Sequence, residues 1–313
     1  MDNPEILEKS FDKMLAATAA LDPIATAIAH PCDAASLTGA IAARDKGLIT
    51  PILVGPPDRI QAAAAETGAN LDGIKIVPSK HSHNSAEKSV QLVRQGRAQA
   101  MMKGALHTDE VMSAAVHKTQ GLRTERRMSH VFVLDVPTYP KPLMISDAAI
   151  NIYPDLQTKA DIVQNAIELA HAIGIDLPKV AILSALETIY PKIPSTVEAA
   201  ALCKMADRRQ ITGGLLDGPL AFDNAVSKRA AAAKGITSDV AGDADILIAP
   251  DLEAGNMIAK QLMYLAGADS AGLVLGARVP IMLTSRADGT LSRLVSAALA
   301  QLLVHEQLGK DLM

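Results

Sequence analysis

A hydroxyl, a fixed cation and a carboxylate fall within four residues at Ser285-Arg286-Ala287-Asp288, after the apolar run IMLT and before the helical pattern of TLSRL. Backbone N–H groups at a helix start carry partial positive charge, so together with Arg286 they form a site for a phosphate-sized anion. The same residues also fit an ordinary helix entry, with Ser285 as N-cap, Arg286 solvated and Asp288 in the first turn.

Further polar groups follow other apolar runs. Lys103-Gly104 follows AMM, offering a cation and a residue without a side chain, and His107-Thr108 comes shortly after; a surface turn and a structural histidine are the alternatives. Ser146-Asp147 follows LMI. Asp217-Gly218-Pro219 follows GLL, and with Asp223 it offers a base or simply turn chemistry. In DLEAGNMIAKQL, Gly255 permits close approach of a ligand to the backbone and Asn256 supplies an amide, although an ordinary helix start reads the same way. Ser195 in KIPS reads as a helix cap.

Several chemistries lose their simplest support. No G-x-G-x-x-G follows a strand pattern and no G-x-x-x-x-G-K-[ST] occurs, which counts against dinucleotide and P-loop nucleotide sites. HExxH, G-x-S-x-G and paired-histidine metal spacings are missing too, which counts against metallohydrolases and serine hydrolases. Cys32 and Cys203 are isolated, which disfavours a disulfide framework or a thiolate metal site, and the surroundings of Cys203 suit a core thiol. A net charge of -4 without a basic face, and aromatic residues at 2% without Trp, argue against nucleic-acid binding and base-stacking platforms. No uncharged apolar stretch reaches roughly 18 residues, and the N-terminal residues are acidic and polar. The expectation is a cytoplasmic protein that binds no membrane.

The elements that must position these groups are legible from periodicity. Eleven apolar runs read as strands: IATAIAH, PILVG, IKIVP, AMMKG, HVFVLDV, LMISDAA, VAILSA, GLLDG, DILIAP, GLVLG and IMLTS. Between most of them lie Ala-rich segments on the 3.6 period, among them SAEKSVQLVRQG, KADIVQNAIELAHAIG and STVEAAALCKMADRR. Continuous apolar strands alternating with helices predict α/β architecture with mainly parallel sheets covered on both faces. PTYPKP is too short for a crossover helix, so HVFVLDV and LMISDAA are expected to pair antiparallel. A second domain is placed just before that pair, with GLRTERR as a polar linker. Ligands in open α/β sheets bind beyond the carboxyl ends of strands, where the polar groups above are found.

In this order, MKGALHT, LRTERRMSHVFVLDVP, SDAAINIYPDLQTKADI, ILSALETIYPKIPST, ITGGLLDGPLAFDNA, DLEAGNMIAKQL and LGARVPIMLTSRAD resemble the phosphate acetyl/butyryltransferase family, from about residue 20 onward. The strongest likeness is to the transferase part of enoyl-CoA hydratase/phosphate acetyltransferase fusions. The resemblance implies a two-domain fold like isocitrate and isopropylmalate dehydrogenases, with an interdomain cleft. It places one discontinuous domain at 1–122 plus 276–313 and another at 123–275. It also implies a homodimer or larger homo-oligomer, with acyl-CoA and inorganic phosphate as substrates, no cofactor beyond them and no metal.

The implied reaction is acyl-CoA plus phosphate giving acyl phosphate plus CoA by direct transfer in a ternary complex, with acetyl as the first choice and butyryl as the alternative. Ser285 would hydrogen-bond the reacting thiol or carbonyl and Arg286 would hold phosphate. Lys103, Gly104, Ser129, Asp217, Gly255 and Asn256 would contact substrate or CoA. Many acetyltransferases of the family carry an Asp seven residues after the motif Ser, where this chain has Ser292; Asp288 is therefore taken as the base, with Asp217 and Asp223 in reserve. Their Arg in the helix after the K-G motif corresponds here to Ser113. Two other classes stay open: an NAD-linked decarboxylating dehydrogenase of related fold, and a noncatalytic CoA-binding homologue.

Overall fold

The computed structural model describes residues 10–283 and 289–311. The eleven apolar runs each form a strand. The chain begins with α1 (Ser10–Ala17), then β1 (Ile24–Ala29), α2 (Ala34–Asp45), β2 (Ile49–Gly55), α3 (Pro57–Thr67), β3 (Lys75–Pro78), α4 (Ser82–Arg94), β4 (Ala100–Lys103) and α5 (Thr108–Ala115). Next come β5 (Ser129–Asp135), β6 (Leu143–Ser146), α6 (Leu156–Ala172), β7 (Lys179–Leu183), α7 (Pro194–Asp207), β8 (Leu215–Leu220), α8 (Phe222–Val226), α9 (Lys228–Ala233), β9 (Ile246–Ile248) and α10 (Leu252–Leu265). The chain closes with β10 (Asp269–Leu275), β11 (Ile281–Met282) and α11 (Thr290–Asp311).

These elements divide into two compact units, Phe11–Arg126 with Ala271 onward, and Arg127–Ser270. In the first, the strands run in the order β3-β2-β1-β4-β11-β10. All neighbours are parallel except β10 and β11. Every residue of β4 is buried, as expected of a strand covered on both faces. Ile28, Leu53, Met101 and Met102 of the strands and Leu37, Ile60, Val90 and Leu303 of the helices are all buried. The returning α11 is fastened by Gln301, fully buried, whose amide donates to the carbonyls of Asp22 (2.9 Å) and Leu21 (3.3 Å).

In the second unit the order is β5-β6-β9-β7-β8. β5 and β6 are antiparallel, as the short connection required, and the remaining pairs are parallel. Its core is built from Leu134, Ile145, Leu183 and Leu247 of the strands with Ala225 and Ala259 of the helices. Helices start where short polar side chains accept free N–H groups: Asp155 takes the N–H of Thr158 and Asp251 that of Ala254, both at 2.8 Å.

Within GLRTERR, Leu122 is fully buried, its carbonyl accepts from the N–H of Arg278 at 2.9 Å, and the Thr124 hydroxyl donates to the Gly276 carbonyl at 2.8 Å. Two local expectations change. Asp217-Gly218-Pro219 does not follow a strand but lies inside β8. Proline is tolerated there because β8 is the outermost strand of its unit, where a missing N–H deprives no further neighbour of a ladder bond. Ser195 is not the cap of α7; Ile193 holds that position with Pro194 next, and the Ser195 hydroxyl instead meets that of Ser184 at 2.8 Å.

Candidate active site

In the first unit, β1, β4 and β11 are parallel neighbours, so their carboxyl ends lie along one edge. Ala29 pairs with Lys103, and Ile281 and Met282 pair with Met101 and Met102. Leu283 is therefore next in register beside Lys103, at the point where the chain enters residues 284–288. Ser285, Arg286 and Asp288 lie outside the described residues. The chain resumes at Gly289 and enters α11 at Thr290.

Lys103 is buried as the last residue of β4. Gly104 donates its N–H to the Ala29 carbonyl at 2.8 Å, and Ala105 donates to the His30 carbonyl at 2.8 Å. A Cβ on Gly104 would stand 2.5 Å from the Ala29 oxygen and 2.6 Å from the His30 oxygen, so glycine is required by the neighbouring backbone itself. Farther along, His107 donates its N–H to Glu110 Oε2 at 2.7 Å, while Oε1 accepts from the Ser82 hydroxyl and meets His83 at 3.2 Å. Burial raises the affinity of Glu110 for a proton, but the bonds from Ser82 and the His107 N–H, with His83, hold its carboxyl below the ordinary value. Ser113 lines a groove of about 330 Å3 with His83, Gln91, Glu110 and His117.

In the second unit, Gly255 and Asn256 meet the turn after β6. Asp147 is buried and its carboxylate is nearly saturated by donors: Oδ1 accepts the N–H groups of His130 (3.2 Å), Ala149 (2.9 Å) and Ile150 (3.1 Å), and Oδ2 those of the Asn151 backbone (2.9 Å) and amide (2.6 Å). Gly255 lies against this turn, and Asn256 donates its amide to the Ala148 carbonyl at 3.1 Å. His130 is buried beside Phe132; burial pushes its imidazole well below the ordinary histidine value, against the opposing pull of Asp147.

Two further candidates of this unit make hydrogen bonds within the protein. Ser129 is fully buried and its hydroxyl accepts from the Asn165 amide at 2.8 Å, so it fastens α6 to β5. Asp217 accepts the N–H of Gly218 at 2.9 Å. Both thiols are poor nucleophiles: burial first, then Asp33, pushes Cys32 up to about 11, while burial and Asp217 push Cys203 up to about 12. Among the described residues, no group of three or more His, Cys, Asp or Glu side chains is arranged to hold a metal ion. Nor is any helix among them long and apolar enough to cross a membrane.

From the sequence, Asp147 stands out only as a polar group after a strand pattern, and no role is assigned to His30, His130 or Glu110. His30 ends the run IATAIAH, which is the available signal. Nothing local marks His130 or Glu110, because their importance comes from elements distant in the chain.

Residues 79–301 match the family model described as "Phosphate acetyl/butaryl transferase". This chain belongs to that family. Among its phosphate acetyl/butyryltransferase relatives, the phosphate acetyltransferase of Rhizobium meliloti is 60% identical over 93% of this chain and 92% of its own length. The phosphate butyryltransferase of Clostridium acetobutylicum is 41% identical over 94% and 98% respectively. A branched-chain phosphotransacylase from Enterococcus faecalis V583 superposes with a TM-score of 0.78 at 31% identity, covering 90% of this chain and 99% of that one. The mixed α/β architecture is thus that of a phosphotransacylase, and the chain is a transferase.

Proposed function

We propose that this protein transfers an acetyl group between the sulfur of CoA and inorganic phosphate, acetyl-CoA plus phosphate giving acetyl phosphate plus CoA. The observation that carries this reading is the 60% identity to a phosphate acetyltransferase across 93% of the chain. The parallel placement of β4 beside β11 supports it, because Lys103-Gly104 and the entrance to the Ser285-Arg286 segment share one strand end.

The chemistry proceeds by direct transfer in a ternary complex. A phosphate oxygen attacks the thioester carbonyl carbon, the C–S bond breaks, and the CoA sulfur leaves with a proton. In reverse, Asp288 takes the thiol proton, the thiolate attacks the acetyl phosphate carbonyl, and phosphate departs. Ser285 hydrogen-bonds the reacting sulfur or carbonyl oxygen, and Arg286 pairs with phosphate and offsets the negative charge developing in the transition state. Holding both substrates in attack geometry supplies a large part of the acceleration. Lys103, Gly104, Gly255 and Asn256 belong to the substrate-binding surroundings, and Asp217 and Asp223 are the reserve bases. The dehydrogenase-like two-domain arrangement, a homodimer or larger oligomer and a cytoplasmic location complete the proposal and rest on family resemblance.

Butyryl-CoA is the second substrate to test, because a butyryltransferase is 41% identical and because Ser113 and Ser292 depart from the acetyl-type pattern. The test is phosphate-dependent release of free thiol from acetyl-, propionyl- and butyryl-CoA, with acetyl-CoA expected to turn over fastest. No release from any of the three by folded protein would refute acyl transfer, and preference for butyryl-CoA would overturn the choice of acetyl.

A further inference from the structure

His30 is the last residue of the run IATAIAH, it is 2% exposed, and its φ of 57° lies in the left-handed region that few non-glycine residues adopt. Both ring nitrogens are engaged. Arg59 Nη1 stands 3.3 Å from Nε2 and can only donate, so Nε2 must accept and the ring proton sits on Nδ1. Nδ1 then donates to the Ser85 hydroxyl at 3.0 Å. Ser85 Oγ also meets the Ser79 hydroxyl at 2.7 Å and passes its own proton to the His81 carbonyl at 3.0 Å, which leaves every donor in the chain with an acceptor. The ring is thus pinned to α3 on one side and α4 on the other.

The backbone of the same residue faces the opposite way. Its carbonyl accepts both the Ala105 N–H and the Cys32 N–H at 2.8 Å, and it stands where any side chain on residue 104 would go. With Glu110 holding the His107 N–H, the loop from Lys103 to His107 is clamped at both ends by groups that the sequence places far from one another.

We propose that His30 is a positioning residue for acyl transfer: its ring, held between Arg59 and Ser85, fixes a left-handed backbone whose carbonyl sets the Lys103-Gly104 turn. This rests on the reading that puts Lys103 and Gly104 at the substrate. Displacing such a turn by about 1 Å lowers turnover by about 10- to 100-fold. Asparagine is the conservative replacement, because it tolerates the left-handed region and its amide nitrogen overlays Nδ1, keeping the donor toward Ser85.

The test is a double-mutant cycle on the full chain with His30→Ala, Lys103→Ala and the pair, together with His30→Asn, measuring kcat and KM for acetyl-CoA and for phosphate. His30→Ala is expected to lower kcat by at least tenfold, His30→Asn to recover most of that loss, and the double variant to fall little below Lys103→Ala alone. Should His30→Ala not fold, Arg59→Ala removes one exposed contact to the same ring and is expected to lower kcat severalfold with both KM values unchanged. Additive losses in the cycle, equal losses for the Ala and Asn variants, or a change in KM alone for Arg59→Ala would each overturn the positioning role. If Lys103→Ala retains full activity, the substrate reading fails and takes this inference with it; if only His30→Ala is silent, the inference fails while that reading stands.

Discussion

Gly255, in the first turn of α10, packs against the carbonyl of Asp147 so closely that a Cβ would stand 2.3 Å from that oxygen. The missing side chain therefore lets the helix rest on the turn after β6, where Asn256 donates to the Ala148 carbonyl. Gly255→Ala must displace either the helix or the turn. A cost of about 1–3 kcal/mol is expected for such overpacking, or a fall in Tm of several degrees. Thermal unfolding followed by circular dichroism checks this, and an unchanged Tm would show that the contact relaxes freely.

The proposed phosphate cation is tested by Arg286→Ala. Loss of a fixed charge that acts on the transition state lowers kcat/KM by about 100- to 1000-fold, with a raised KM for phosphate. Initial rates at varied phosphate, together with an unfolding curve for the variant, separate this from a folding defect. Unaltered kinetics would remove Arg286 from the site.

Acid sensitivity is expected from the ion cluster at the amino ends of β6, β7 and β9. Lys179 Nζ meets Asp243 Oδ2 at 2.6 Å, and Lys141 Nζ meets Asp245 Oδ1 at 2.7 Å and Asp243 Oδ1 at 3.1 Å. The hydrogen bond from Lys179, outweighing burial and aided by Lys141, holds the Asp243 carboxyl below the ordinary aspartate value. A carboxylate whose folded-state pKa is depressed contributes stability that is present above its unfolded value and lost as pH falls through the folded one. Urea midpoints should therefore hold from neutral pH down to about 4 and then decline. Lys179→Met should flatten that decline, and a slope identical to wild type would dissociate Asp243 from it.

Neither thiol should interfere with a thiol-release assay. With Cys32 pushed up to about 11 and Cys203 to about 12, almost no thiolate exists at pH 8. Folded protein should react slowly with DTNB, and both thiols should become titratable on unfolding. Cys203→Ser should keep kcat within about twofold, since its sulfur only meets the Gly218 carbonyl at 3.7 Å. Rapid labelling accompanied by inactivation would contradict this.

How far the sequence could be read depends on the range over which each feature is decided. Strands such as AMMK and HVFVLDV announce themselves because a strand buried on both faces must be apolar throughout, and the antiparallel turn of β5 and β6 follows from a linker too short for a helix. Asp217 was misplaced at the end of a strand because Gly-Pro signals a turn unless the strand is at an edge, and edge position is a property of the sheet. Gly104 and Gly255 were recognised as places of close approach, but the approaching groups among the described residues are the carbonyls of His30 and Asp147, which no local pattern names.

By itself, then, the sequence determined the α/β elements, the polar strand ends and membership of a family whose ordered motifs span most of the chain, because each of these is written in short-range periodicity or in linear order. Tertiary structure alone decided which groups meet. That His30 closes on Gly104, and that Asp147 gathers donors from His130 and Asn151, follows from strand register and backbone direction, which bring residues into hydrogen-bond range only after the sheets have formed.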